Sequence, residues 1–201
     1  HNTKELNEMK TQLNKPKTAK VKNVSTKQHQ QESPDGLNTV SLLKLASSAL
    51  KISPHYIMLN AEKLYTMGYI TYPRTETTKY SSNFDFIRSL KSFENHPIFN
   101  NKVKHLLAHF KPPSLSKGID IGDHPPITPS RLAFPDNIDK DLWNIYELIC
   151  NYYFTSLSSH IVYEDTTYTL DINGIPFEEK AITLKEEGYL YFNPHDKCKY
   201  T

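Results

Sequence analysis

Apolar positions repeat at helical spacing through the middle of the chain and at strand spacing near its ends. In residues 40–50, Val40, Leu43 and Ala46 fall on one face, and Asn38 or Thr39 precedes them as a cap. Ser53 followed by Pro54 is a cap with proline at the first helical position. The helix it starts turns Ile57, Ala61 and Leu64 inward and ends near Gly68. Residues 69–74 (YITYPR) are β-branched and aromatic, and Pro73 pushes Tyr72 out of the helical region, so they read as extended. Weaker helical patterns cover 84–94 and 99–110. Residues 111–130 are proline-rich and read as a long ordered or functional loop. A strong helix spans 139–158, where Leu142, Ile145, Ile149, Tyr153 and Leu157 repeat.

The period changes after that helix. Residues 161–172 alternate, with Val162, Tyr168, Leu170 and Ile172 among the apolar positions. Asn173-Gly174 is a strong hairpin signal. Residues 175–184 return as a strand, and 189–192 (YLYF) read as a third. At the other end, residues 1–16 form a polar, partly helical lead-in, 17–24 a short strand and 25–36 a polar loop. The expected fold class is therefore α+β, with a mostly helical domain at 36–158 inserted into a β domain. That β domain takes its lead-in and first strand from 1–35 and its returning strands from 159–201.

Composition narrows the class. Hydrophobic residues make up 37% and aromatics 11%, enough to bury a core and too many for a disordered tail. No stretch approaches the ~18 apolar residues of a spanning helix, and the mean hydropathy is −0.60. The chain starts at His1 with no secretory segment, so it reads as a soluble intracellular piece of something longer. Cys150 and Cys198 lack the spacing of a disulfide framework or zinc ribbon, and Cys150, in an apolar run, reads as a buried thiol. The net charge of +2 hides a gradient: +5 over residues 1–31, +1 over 32–159 and −4 over 160–201. A basic leading segment suits nucleic acid or a solvated flap.

Two segments carry candidate chemistry. YTMGYITYPRTETTKY at 65–80 packs four Tyr and five Thr around Arg74, Glu76 and Lys79. Arg74 lies two residues after Tyr72, on the same side of an extended chain. A guanidinium there can grip a phosphate bidentately and stabilise its five-coordinate state. A tyrosine beside it can accept the phosphoryl group as a nucleophile. The plainer alternative is an edge strand whose tyrosines pack on the preceding helix. In GDHPPITP at 122–129, His124 can bind a phosphate oxygen or move a proton; the plainer alternative is a surface histidine.

GYITYPRTETT at 68–78 resembles the active-site signature of type IA DNA topoisomerases, in the topoisomerase III branch. GLNTVSLLKLASSAL at 36–50, AEKLYTMGYITYPRTETTKYSSNFD at 61–85, GDHPPITP and LWNIYELICNYYF at 142–154 resemble further family segments in the same order. The resemblance covers roughly 17–192 and is closest to the beta type of eukaryotic topoisomerase III. It implies a helical tyrosine domain inserted into the β-rich arches of a toroid. It implies that Tyr72 attacks single-stranded DNA to form a 5′-phosphotyrosine without ATP. Arg74 would position the scissile phosphate, and His124 would contact it. Thr39, Thr75 and Thr77 would offer hydroxyls to the DNA backbone, with Lys79 beside them. Glu76 would order the turn by pairing with Arg74 or Lys79.

The family also uses Mg²⁺, held by a Toprim domain. No metal site is read in this sequence, and the chain alone is expected not to relax supercoiled DNA. Implied partners are single-stranded DNA, RNA as a further substrate, and an accessory OB-fold or Tudor-type protein. The implied location is nuclear, with or without a cytoplasmic share. Competing readings are a single-stranded nucleic-acid-binding module without catalysis and a structural domain whose parent has lost activity. Tyrosine recombinases and type IB enzymes surround the phosphate with Arg and His in another order.

Overall fold

The structure, a computed structural model, describes residues 3–13, 18–114 and 116–192. A helix, α1 (Thr3–Leu13), precedes the first strand, β1 (Ala19–Gln31). Five helices follow: α2 (Thr39–Leu50), α3 (Pro54–Thr66), α4 (Phe86–Lys91), α5 (Asn100–Ala108) and α6 (Lys140–Ser156). Strands β2 (Ile161–Ile172) and β3 (Ile175–Glu186) and a single 3₁₀ turn (Gly188–Tyr191) complete the order. Within the described residues, contacts define one unit up to Gln31 with Ile161–Glu187, and a second of Glu32–His160 with 188–192.

The first unit is an antiparallel sheet of order β1-β2-β3. Asn173 and Gly174 join β2 to β3 with φ of 54° and 85°. Two successive positive φ values are what a two-residue hairpin turn of matching twist requires. The strand expected at 17–24 continues to Gln31, because Ser25 through Gln31 pair in register with Thr167 through Ile161. The polar loop expected at 25–36 therefore shrinks to 32–36. Residues 25–31 are polar and mostly exposed and carry no apolar alternation, while the ladder needs only the backbone. Cross-strand pairs add to it: Thr26 and Thr166 hydroxyls lie 3.1 Å apart, and His29 stacks on Tyr163 at 5.2 Å.

The second unit is helical. Asn38 caps α2 by accepting from Ser41 N–H at 2.9 Å. Ser53 caps α3 by accepting from Tyr56 N–H at 3.3 Å, with Pro54 first in the helix. Ile57, Ala61 and Leu64 of α3 are fully buried, as are Leu142, Ile145, Ile149, Tyr153 and Leu157 on or just after α6. On α2 the buried stripe is Leu42 and Ala46. Val40, expected inward, is 52% exposed, because the helix turns Leu42 rather than Val40 to the core. The expected third strand at 189–192 is instead the 3₁₀ turn. Gly188 has φ +46° and its neighbour Tyr189 donates to Ser159 O at 3.0 Å, which buries Tyr189 and Leu190. Cys150 is fully buried, and desolvation pushes its thiol far up. Cys198 lies outside the described residues.

His96 belongs to this core. It is 1% exposed and stacks between Phe99 at 4.7 Å and Phe134 at 4.8 Å. One ring nitrogen lies 2.9 Å from Ala133 O and the other accepts from Ile98 N–H at 3.2 Å. Both nitrogens are thus satisfied, as a buried polar ring requires.

The proline-rich segment is ordered by its partners. Ile127 N–H donates to Leu37 O at 2.7 Å, and Ile70 bridges Pro129. Thr78 N–H donates to Ile119 O at 2.8 Å, and Ile119 N–H donates back to Thr78 Oγ1 at 2.9 Å. Two glycines press on the same place. A Cβ on Gly36 would lie 2.6 Å from Thr78 O, and one on Gly118 would lie 2.7 Å from it. Gly118 also has φ +81°, whereas Gly122, with φ +80°, has nothing within 4 Å. Both Gly118→Ala and Gly122→Ala meet the left-handed backbone cost of roughly 1–2 kcal/mol. Only Gly118→Ala adds the backbone clash, so urea denaturation should show it the more destabilising of the two. Equal losses would remove the clamp at Thr78.

Candidate active site

Residues 71–80 form no regular element, so their polar backbone groups need partners from elsewhere. Thr39 at the start of α2 supplies two: its hydroxyl donates to Pro73 O at 2.7 Å and accepts from Thr75 N–H at 2.9 Å. The histidine loop supplies more. The Thr75 hydroxyl donates toward His124 O at 2.5 Å and Asp123 Oδ1 at 3.1 Å. Asp123 Oδ2 accepts from Glu76 N–H at 2.8 Å, and the Thr77 hydroxyl donates to Asp123 Oδ1. Thr71 Oγ1 donates to Pro126 O at 2.9 Å. The two candidate segments, far apart in sequence, are one stitched surface.

This stitching brings Tyr72, Arg74 and His124 together. The half-buried Tyr72 ring stands edge-on to His124 at 4.5 Å and to Tyr65 of α3 at 5.0 Å. Arg74 is exposed and bonds Glu62, one turn before Tyr65 on α3: Nη2 lies 2.5 Å and Nε 2.7 Å from Glu62 Oε1. Tyr72 and Arg74 therefore both engage α3, as residues two apart on an extended chain should. The acid beside Arg74 is Glu62, not Glu76. Glu76 points outward, and only its backbone is engaged with Asp123.

The other tyrosines of the segment are placed differently. Tyr80 is tied to the Ser156 hydroxyl at 2.7 Å, and burial pushes its phenol far up. Tyr69 is 7% exposed under Arg131, whose guanidinium carbon is 4.5 Å from the ring centre. Tyr72 is the one held between the His124 and Tyr65 rings. The threonines expected on a DNA backbone face inward: Thr75 and Thr77 are each 3% exposed, and their hydroxyls are spent on the loop. Lys79 is half-buried, its backbone N–H donates to Ile119 O at 3.2 Å, and it makes no ion pair among the described residues. No three His, Cys, Asp or Glu side chains gather to hold a metal among the described residues.

Asp123, Glu62 and Tyr65 were not legible as site residues. Asp123 has a carboxyl held below its ordinary range, first by the Thr77 hydroxyl and then by Glu76 N–H. A depressed carboxyl stabilises the fold above its unfolded value, about 3.9, and that contribution is lost as pH falls through the lower folded value. The protection factor of the Glu76 amide, with the intrinsic rate divided out, should therefore hold from neutral pH to about 4 and fall only below. Asp123→Ala should lower it at neutral pH; unchanged protection in that variant would discard the stitch.

Comparison with known proteins identifies the family. A family model described as DNA topoisomerase matches residues 1–201. DNA topoisomerase 3-beta of Arabidopsis thaliana is 42% identical over 179 residues, covering 89% of this chain and 20% of that protein. DNA topoisomerase 3-beta-1 of Homo sapiens is 40% identical, with the same two shares. The chain thus spans about a fifth of the length of these curated relatives. Among solved structures, full-length topoisomerase I from Thermotoga maritima superposes with a TM-score of 0.67 at 19% identity, over 96% of this chain and 32% of that one. The chain belongs to the DNA topoisomerase family, as a segment of a type IA enzyme of the topoisomerase III beta branch.

Proposed function

We propose that this segment supplies the nucleophile for transient cleavage of single-stranded DNA in its parent enzyme. The observation that carries the reading is the placement of Tyr72 between His124 and Tyr65, with Arg74, two residues on, paired to Glu62 of α3. In the proposed step, Tyr72 Oη attacks a backbone phosphorus. The P–O3′ bond breaks, and the phenol proton is balanced by the one gained at the departing 3′-hydroxyl. The product is a 5′-phosphotyrosine, which conserves the bond energy, so resealing needs no ATP. Arg74 leaves Glu62 to grip the non-bridging oxygens as charge builds on them. His124 contacts the same phosphate from the opposite side of the tyrosine ring. Thr39, Thr75 and Thr77 act one layer back, holding the backbone that aims these groups.

Strand passage through the break, with relaxation or decatenation, is assigned to the whole parent. The magnesium used by the family is assigned to segments beyond these residues. An RNA substrate, an OB-fold or Tudor-type accessory partner and a nuclear site of action rest on the family resemblance. Among the described residues no helix is long and apolar enough to cross a membrane.

The test uses the parent enzyme and an end-labelled single-stranded oligonucleotide. Tyr72→Phe should abolish the trapped covalent adduct while retaining binding. Arg74→Gln should lower the cleavage rate by about 10²–10³-fold, the scale for losing one donor to a developing charge. An adduct that survives Tyr72→Phe would end the assignment.

A further inference from the structure

A second basic groove opens beside Thr71, the residue before Tyr72. It has a volume of about 320 Å³, and Arg88 of α4 and Arg131 both line it. Both arginines are exposed, and neither makes an ion pair among the described residues. Its one carboxylate is Asp85, which accepts from Arg88 N–H at 2.9 Å and so caps α4. The lining thus carries two fixed positive charges against one.

The groove is pre-arranged. Arg131 is anchored over Tyr69 at 4.5 Å, and its backbone N–H reaches Tyr69 O at 3.4 Å. Thr71 joins its floor by N–H donation to Thr128 O at 2.9 Å and by accepting from Thr128 N–H at 2.9 Å. The hydroxyls of Ser92 and Ser130 also line it, with the half-buried ring of Phe84 at one side. Guanidinium groups and hydroxyls are the donors that contact phosphate and sugar without reading sequence. An aromatic ring beside them gives an unpaired base a surface to stack on.

We infer that this groove is a second phosphodiester subsite. It holds a backbone phosphate of the single strand next to the phosphate that Tyr72 attacks, through Arg88 and Arg131. The inference rests on the proposed polynucleotide substrate and adds where the strand runs beyond the nucleophile. The floor of the groove is the same stretch of chain that bears Tyr72. A phosphate held there therefore fixes the strand's approach to the tyrosine, whatever its bases.

The test titrates the 201-residue chain into a fluorescein-labelled oligothymidylate at several salt concentrations. The double variant Arg88→Gln, Arg131→Gln should bind about tenfold or more weakly. Its slope of log affinity against log salt should fall by about 0.7 for each arginine, the single-strand value. The exposed pair Lys44→Gln, Lys91→Gln controls for overall charge and should stay close to the unmodified chain. Arginine Nε–Hε resonances give a second readout, in which Arg88 and Arg131 should shift with oligothymidylate. A double variant that binds like the lysine control, or an unmodified chain that binds no oligothymidylate, overturns the subsite. Arginine shifts with inorganic phosphate but none with oligothymidylate mark a free-anion site and overturn it too. None of these results touches the Tyr72 adduct in the parent enzyme, so subsite and nucleophile fail separately.

Discussion

The Asp123 carboxylate joins two loops that have no secondary structure to hold them. Its two oxygens take up the Glu76 amide and the Thr77 hydroxyl, while its neighbour's carbonyl takes up the Thr75 hydroxyl. Thr39 closes the other side by bonding Pro73 and Thr75. An active loop that lacked these bonds would leave its amides to water and sample many shapes. Here the loop bearing Tyr72 and the loop bearing His124 share one network, so the distance between their rings is set by bonds outside the rings themselves. The glycines against Thr78 let the two loops approach closely enough for that network to form.

The regular part of this frame was legible because its signals are local. A cap followed by proline and a repeat of apolar residues lie within a few positions of each other, and α3 and α6 follow them. Strand β1 was underestimated because its partners lie some 140 residues away and its own side chains are polar. The 189–192 segment has the composition of a strand, yet among the described residues it has no sheet neighbour. The site divides along the same line. Tyr72, Arg74 and His124 stand in segments singled out by family resemblance, since residue type and neighbours alone left an edge strand and a surface histidine as plainer readings. Glu62 and Asp123 earn their roles through contacts across 12 and 47 positions. The sign that could have found them is modest: Glu62 and Tyr65 share a face of α3, and Asp123 adjoins the candidate histidine.

Residue type alone also misleads in the other direction. His96, Cys150, Tyr80 and Tyr146 carry groups that elsewhere bind metals or attack phosphorus. Here each is enclosed, and burial pushes the Cys150, Tyr80 and Tyr146 groups toward their neutral forms. Tyr146 spends its hydroxyl on Arg131 O at 2.8 Å, and so braces the segment from which Arg131 reaches out. The chemistry of this unit is thus separated by depth: a neutral, aromatic interior and a charged, hydroxyl-bearing rim.

The pairing of Arg74 with Glu62 alters what it means for this arginine to meet a phosphate. In the proposed step the guanidinium would change one anion, the Glu62 carboxylate, for another. The pair is exposed, so it contributes only about 0.2–1 kcal/mol, small enough for an incoming strand to displace. On the proposed reading, the Glu62 carboxylate would return to the guanidinium when the strand departs. Added salt weakens the resident bond along with the incoming one, so the exchange is less sensitive to ionic strength than capture by an unpaired cation. A site proposed to seal what it cuts would gain from such a swap, since release would leave the arginine with a partner already in place.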